Sequence, residues 1–178
     1  NAENIILHFK NKKNVKISAV FSNKTDAYVL KRAEKHQIPS FIFTQDDLSS
    51  NKGVLSLLRE MRIDFIVLAG FLLKIPSSII QAYPQKIINI HPSLLPKFGG
   101  KNMYGDKVHQ AVLNQKEAES GITIHYVNEN YDEGQIIFQA KCPVFLEEDT
   151  YLTLRERVHS LEYEHYPKII EKTINKIK

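Results

Sequence analysis

Short apolar runs alternate with amphipathic stretches through most of this chain, and that alternation most narrows what it can fold into. Residues 15–21, 40–43, 65–69 and 87–90 read as strands. Residues 4–10, 26–36, 53–61 and 77–83 have helical periodicity, and a further helix is expected from Val108. Strands covered on both faces read as continuous apolar runs, so this order predicts an α/β fold: a doubly wound, mainly parallel sheet with helices on both faces. After Gly121 the pattern changes. Residues 122–127 and 135–144 are strand-like and flank the turn-rich Asn128-Glu129-Asn130-Tyr131-Asp132-Glu133-Gly134, which predicts a hairpin-like or mixed extension. Residues 150–178 return to helical periodicity, and Pro167 is expected to kink that helix or to start a new one.

A chain of 178 residues with 43% hydrophobic content can bury a continuous core, so one domain covering residues 1–178 is expected. The longest apolar runs, such as 65–73, fall well short of the roughly 20 residues that span a bilayer. No charged start followed by an apolar segment and a cleavage site opens the chain, so a cytoplasmic location without membrane attachment is the expectation. The lone Cys142 lies beside Pro143 in an apolar stretch and reads as a packed thiol. The net charge of +4 comes with small basic clusters at 10–16 and 168–178 that are not interleaved with aromatic residues, so no nucleic-acid partner is expected. Asn1-Ala2-Glu3-Asn4 leads straight into helical sequence. In a doubly wound sheet the first strand and its turn form a phosphate-binding corner, so that strand is expected upstream, with only the helix side of the corner present here.

The most informative stretch is Asn89-Ile90-His91-Pro92-Ser93-Leu94-Leu95-Pro96-Lys97-Phe98-Gly99-Gly100, directly after the strand 87–90. Ligands bind outside the carboxyl ends of strands in open α/β sheets, and strand alternation turns Asn89 and His91 to the same side. Prolines 92 and 96 deny the segment a regular ladder, which predicts a rigid loop around the site. Taken alone, such a polar pair serves structure as readily as chemistry. Asp132, in the turn between the two later strands, is positioned in sequence to approach His91 and hold it as the imidazolium. An amide donor, a charged imidazole and a carboxylate together suit acyl transfer to an amine: two groups stabilise an oxyanion and the third orients a water for proton transfer.

These motifs, with Leu68-Ala69-Gly70-Phe71 before them and His125-Tyr126-Val127 and Tyr131-Asp132-Glu133-Gly134 after, closely resemble the phosphoribosylglycinamide formyltransferase family. Val20-Phe21-Ser22-Asn23-Lys24 and Gln139-Ala140-Lys141 through Pro143-Val144 are also similar to that family's strands, so the likeness runs almost end to end. The resemblance implies a formyltransferase-like Rossmann variant that moves a formyl group from 10-formyltetrahydrofolate, a co-substrate, to the amine of glycinamide ribonucleotide in purine biosynthesis. It implies no metal, small-molecule partners only, and a monomer or homodimer. Asn89, His91 and Asp132 are then the catalytic trio. The folate lies against Leu72, Leu73, Lys74 and Ile75, against Asn89, and against the loop Asn128, Glu129, Asn130, Tyr131 and Asp132, largely through backbone groups. The ribonucleotide meets Asn1, His159, Ser160, Leu161 and Glu162, with Glu162 accepting from ribose hydroxyls. Leu72-Leu73-Lys74 departs from the Met-Arg-Ile common in relatives, His159 stands where glutamine is common, and residues 101–107 form a longer connection than in many relatives.

The nearest rivals are a formyltetrahydrofolate hydrolase and another formyl-folate transferase, one acting on initiator aminoacyl-tRNA. The hydrolases carry a second histidine where this chain has Pro92, and both rivals carry an additional domain. A binding module without activity would have no use for amide, imidazole and carboxylate together.

Overall fold

Ile87 and Ile88 are almost wholly buried and Ile90 is 7% exposed, and this continuous apolar run becomes the strand at the centre of the chain's chemistry. The computed structural model describes residues 1–177. Contacts between residues divide it into two units, Asn1–Phe65 with Ile75–Tyr83, and Ile66–Lys74 with the chain from Pro84 onward.

The first unit contains α1 (Ala2–Phe9), β1 (Val20–Ser22), α2 (Tyr28–Lys35), β2 (Ser40–Ile42), α3 (Gln45–Ser49), α4 (Val54–Glu60) and α5 (Ser77–Ala82). β1 and β2 pair in parallel, Val20 opposite Ser40. α1 buries Ile5, Ile6 and Phe9, while its Glu3 accepts from Lys35 at 3.0 Å and lies 3.4 Å from the Arg32 guanidinium of α2. β1 is shorter than the run 15–21, because no partner strand among the described residues extends the ladder beyond β2. β2 in turn stops at a capping box: the Thr44 hydroxyl accepts from the Asp47 N–H, and Asp47 Oδ2 accepts from the Thr44 N–H at 2.8 Å. That box starts α3, a helix that hydrophobic periodicity did not predict.

The second unit contains β3 (Ile66–Leu68), β4 (Ile87–His91), α6 (Asp106–Asn114), β5 (Glu119–Tyr126), β6 (Ile136–Pro143) and α7 (Tyr151–Ile177). Its sheet has the order β3-β4-β5-β6. β3 and β4 are parallel, whereas β4–β5 and β5–β6 are antiparallel. The α/β order read from the sequence is therefore present with parallel pairing in both units, and the mixed extension begins at β5. Between β5 and β6 the chain turns through Gly134, where a Cβ would run into the Tyr126 carbonyl, so only glycine allows that approach.

Of the two outcomes expected at Pro167, a new helix does not occur, since one helix runs through it. Leu154, Val158, Glu162, Tyr166, Pro167, Ile170 and Thr173 are its buried residues, and their spacing makes one stripe along the helix. Packing along that stripe outweighs the single helix hydrogen bond that Pro167 cannot donate. Tyr166, fully buried, donates its hydroxyl to the Leu68 carbonyl at 2.7 Å, with the Ile88 carbonyl 3.4 Å away. Among the described residues no helix is long and apolar enough to cross a membrane.

Candidate functional site

Antiparallel pairing sets Asn89 of β4 directly opposite His125 of β5, and His91 opposite Thr123. Alternation along both strands therefore brings Asn89, His91 and His125 to one face at the carboxyl end of β4. The Asn89 side-chain nitrogen lies 3.4 Å from His125 Nε2. Asp132 enters from the β5–β6 connection with a left-handed φ of 57°, a conformation aspartate tolerates better than most residues. Its Oδ2 lies 3.4 Å from His91 Nδ1, and its Oδ1 lies 3.5 Å from His125 Nε2. The Gly100 N–H donates to Oδ2 at 2.9 Å, from a residue with φ of 93°. One carboxylate is thus shared by two imidazoles and a backbone amide.

A carbonyl oxygen only accepts, which assigns the ring protons. His91 Nε2 lies 2.7 Å from the Phe98 carbonyl and must carry a hydrogen, leaving Nδ1 for Asp132. His125 Nδ1 lies 2.9 Å from the Tyr126 carbonyl and likewise donates, leaving Nε2 for Asn89 and Asp132. Burial pushes His91 below the usual histidine value, outweighing the nearby Asp132 charge and the Phe98 carbonyl, which favour the cation. Burial also works against the Asp132 anion, but the hydrogen bond from His125, the electrostatic influence of His91 and the Gly100 N–H together hold its carboxyl below the usual aspartate range. The site is a carboxylate facing two ring nitrogens and one backbone N–H.

Asn89, His91 and Asp132 are thus brought together as the sequence reading expects. Leu72 and Lys74 are exposed and Leu73 half-buried in the second unit, whereas Ile75 is buried in the first. Asn128, Glu129 and Asn130 are exposed and Tyr131 half-buried, the loop being braced by Asn128 Oδ1 on the Asn130 N–H at 3.0 Å and by Asn130 on Glu133 at 2.8 Å. Asn1 is the N-cap residue of α1, its carbonyl accepting from the Ile5 N–H at 2.9 Å. On α7, His159 and Leu161 are half-buried, Ser160 is exposed and turned back on the Glu156 carbonyl at 3.0 Å, and Glu162 is only 6% exposed. Glu162 is therefore no solvated helical acid. Burial first, and then the Glu162 charge, push the Tyr166 phenol well up.

Three members of the constellation had no role in the sequence reading. His125 was legible only as part of a motif, although its place two residues after Thr123 on a strand opposite Asn89 is the signal that finds it. The Phe98 carbonyl and the Gly100 N–H are main-chain groups, for which no residue type gives a signal. A further buried imidazole, His109 of α6, is pushed down to about 4 by burial and by His159, with His91 also in electrostatic reach.

Residues 1–170 match the family model described as formyl transferase. The chain is 40% identical to the phosphoribosylglycinamide formyltransferase of Haemophilus influenzae over 160 residues, which cover 88% of this chain and 73% of that protein. It is 38% identical to the phosphoribosylglycinamide formyltransferase of Bacillus subtilis over 156 residues, 85% of this chain and 77% of the other. The crystal structure of phosphoribosylglycinamide formyltransferase from Bacillus halodurans superposes with a TM-score of 0.87 at 32% identity, covering 99% of this chain and 91% of that one.

Proposed function

Since the chain belongs to the formyl transferase family, we propose that it transfers the formyl group of 10-formyltetrahydrofolate to the amine of glycinamide ribonucleotide, a step of de novo purine biosynthesis. The observation that carries this reading is the convergence of Asn89, His91 and His125 on the Asp132 carboxylate at the carboxyl end of β4.

Transfer makes a bond from the acceptor nitrogen to the formyl carbon and breaks the bond from that carbon to the folate nitrogen. The acceptor nitrogen loses a proton and the folate nitrogen gains one. Negative charge develops on the formyl oxygen between these events. The Asn89 amide nitrogen, 3.4 Å from His125 Nε2, has two N–H groups and offers one of them to that oxygen. His91 adds positive charge beside that oxygen by taking a proton at Nδ1, the nitrogen beside Asp132, while Nε2 stays on Phe98. Asp132 remains the anion that makes this proton uptake favourable and orients a water to relay it. Burial matters here because a dry site strengthens each of these interactions at the moment charge appears.

Exposed Leu72 and Lys74 with half-buried Leu73, and the loop Asn128 to Asp132, offer the folate a ledge of backbone groups beside the trio. The turn of α7 with His159, Ser160, Leu161 and Glu162 receives the ribonucleotide, Glu162 accepting from the ribose. We place the protein in the cytoplasm, as one formyltransferase domain that is a monomer or homodimer and handles small molecules, not nucleic acid. Incubation of the protein with 10-formyltetrahydrofolate, with and without glycinamide ribonucleotide, is the test. Turnover of the folate only when the acceptor is present supports transfer, and turnover without it assigns hydrolysis instead.

A further inference from the structure

We propose that Thr123 is a positioning residue for His91: its hydroxyl ties the loop 93–98 to the sheet and so holds the Phe98 carbonyl where it selects the proton-bearing nitrogen of the imidazole. The proposal rests on the catalytic reading of His91 given above.

Thr123 is fully buried on β5, opposite His91 in the ladder, with Gln139 of β6 as its partner on the other side. A threonine hydroxyl has one hydrogen to donate and two lone pairs. All three are used: it donates to the Ser93 carbonyl at 2.7 Å, and it accepts from the Leu95 N–H at 2.9 Å and from Gln139 Nε2 at 2.9 Å. The second Nε2 hydrogen of Gln139 goes to the Leu95 carbonyl at 3.0 Å. The buried Ser93 hydroxyl donates to the Lys97 carbonyl at 2.7 Å. Side chains thereby replace a ladder for a segment that Pro92 and Pro96 exclude from one.

Packing does not do this work alone. The segment borders a cavity of about 190 Å³ lined by Ser93, Leu94, Lys97 and Phe98, with Val112 and Ser120 among the other walls. A loop beside open space is held by its hydrogen bonds, and the bonds converge on one hydroxyl. Release of that hydroxyl leaves the buried Ser93 carbonyl and Leu95 N–H without partners and gives the loop somewhere to go. The Phe98 carbonyl then leaves its place 2.7 Å from His91 Nε2. Nothing else named here obliges the neutral ring to keep its hydrogen on that nitrogen.

The test compares Thr123→Val, which keeps the shape and deletes the hydroxyl, with Thr123→Ser, which restores it. Two quantities are read in each: the tautomer of His91 by long-range nitrogen–proton NMR of the imidazole, and single-turnover formyl transfer with the KM for each substrate. In Thr123→Val the Nδ1–H tautomer of His91 should appear and kcat should fall roughly 10- to 100-fold, as for an Å-scale misplacement, with both KM values within about twofold. Thr123→Ser should keep the Nε2–H tautomer and stay within about threefold of the parent rate. A folded Thr123→Val protein with the parent tautomer and rate overturns the proposal. Should that variant fail to fold, Gln139→Met decides, because Gln139 is exposed and its loss removes only the outer bonds of the node. A few-fold drop in kcat with the same tautomer shift supports the proposal, and no change in either overturns it. A tautomer shift without loss of rate leaves Thr123 as the positioning residue and overturns the catalytic assignment of His91.

Discussion

The Phe98 carbonyl stands 2.7 Å from Nε2 of His91, so a main-chain group decides which face of that ring remains for chemistry. Nδ1 is left toward Asp132 at 3.4 Å, and the donors of the site divide between this pair and the Asn89 amide.

Asn89→Ala removes the amide that reaches toward the formyl oxygen while leaving β4 paired on both sides. Turnover should fall by roughly 10² to 10³, as for loss of one oxyanion donor, with folate affinity little changed. Single-turnover rates and a folate titration measure the two effects separately, and near-parental turnover would remove Asn89 from the chemistry.

Asp132→Asn isolates charge, because asparagine shares aspartate's tolerance for the φ of 57° found there. The anion raises the affinity of His91 for a proton against the larger effect of burial, so its loss should carry the His91 value further down. Activity should drop, and the limb of the rate profile that reports His91 should move to lower pH. An unchanged profile with weaker folate binding would make Asp132 a loop-shaping residue.

His125→Phe keeps an aromatic ring and deletes the nitrogens that serve Asn89, Asp132 and the Tyr126 carbonyl. The expected result is a fall in kcat of about 10- to 100-fold and a rise of the Asp132 carboxyl toward its ordinary value, since the His125 hydrogen bond is the first of the influences that lower it. Carbon NMR of the Asp132 carboxyl against pH follows the second effect directly.

Glu162→Gln should raise the KM for the ribonucleotide several-fold with little change in kcat, the signature of a binding contact made equally before and during the reaction. Equal losses in kcat and kcat/KM would assign it to the chemistry instead.

Acid stability should depend on Asp149. Arg157 lays two nitrogens on its carboxylate at 2.8 and 2.9 Å, the Phe145 N–H adds a third bond at 2.8 Å, and the carboxyl is held at about 2, led by the Arg157 contact. A folded value below the unfolded one stabilises above the unfolded value, so this contribution is complete above roughly pH 4 and disappears as the pH falls toward 2. Asp149→Asn should lower the melting temperature at pH 7 and leave it nearly unchanged at pH 2. Equal shifts at both pH values would show that the carboxylate charge is not the source.

The alternation of apolar runs made β3, β4 and most helices legible, because burial on both faces writes itself into composition. β1 was overread: residues 15–19 look like strand, but a strand exists only where a neighbour pairs with it. α3 depends on the Thr44 capping box, a local hydrogen-bond device with no periodicity. At the site, His91 and Asp132 were legible as chemical types, but the balance of their charges was not. Desolvation depends on three-dimensional neighbours, and at His91 it opposes the charge of Asp132. The local cost of Pro167 is visible in the sequence, whereas the buried stripe that carries one helix through it is a property of the packed helix.

Tyr166 sits one helical turn beyond Glu162, and its hydroxyl grips the carbonyl of Leu68 with that of Ile88 close by. Ile88 is the residue before Asn89, so the Glu162-bearing stretch of α7 and the amide-bearing strand share a spacer one phenol long. Such a spacer sets tolerance. That phenol couples the position of α7 to the strand end that carries Asn89. The length of a single side chain fixes the spacing between the two elements.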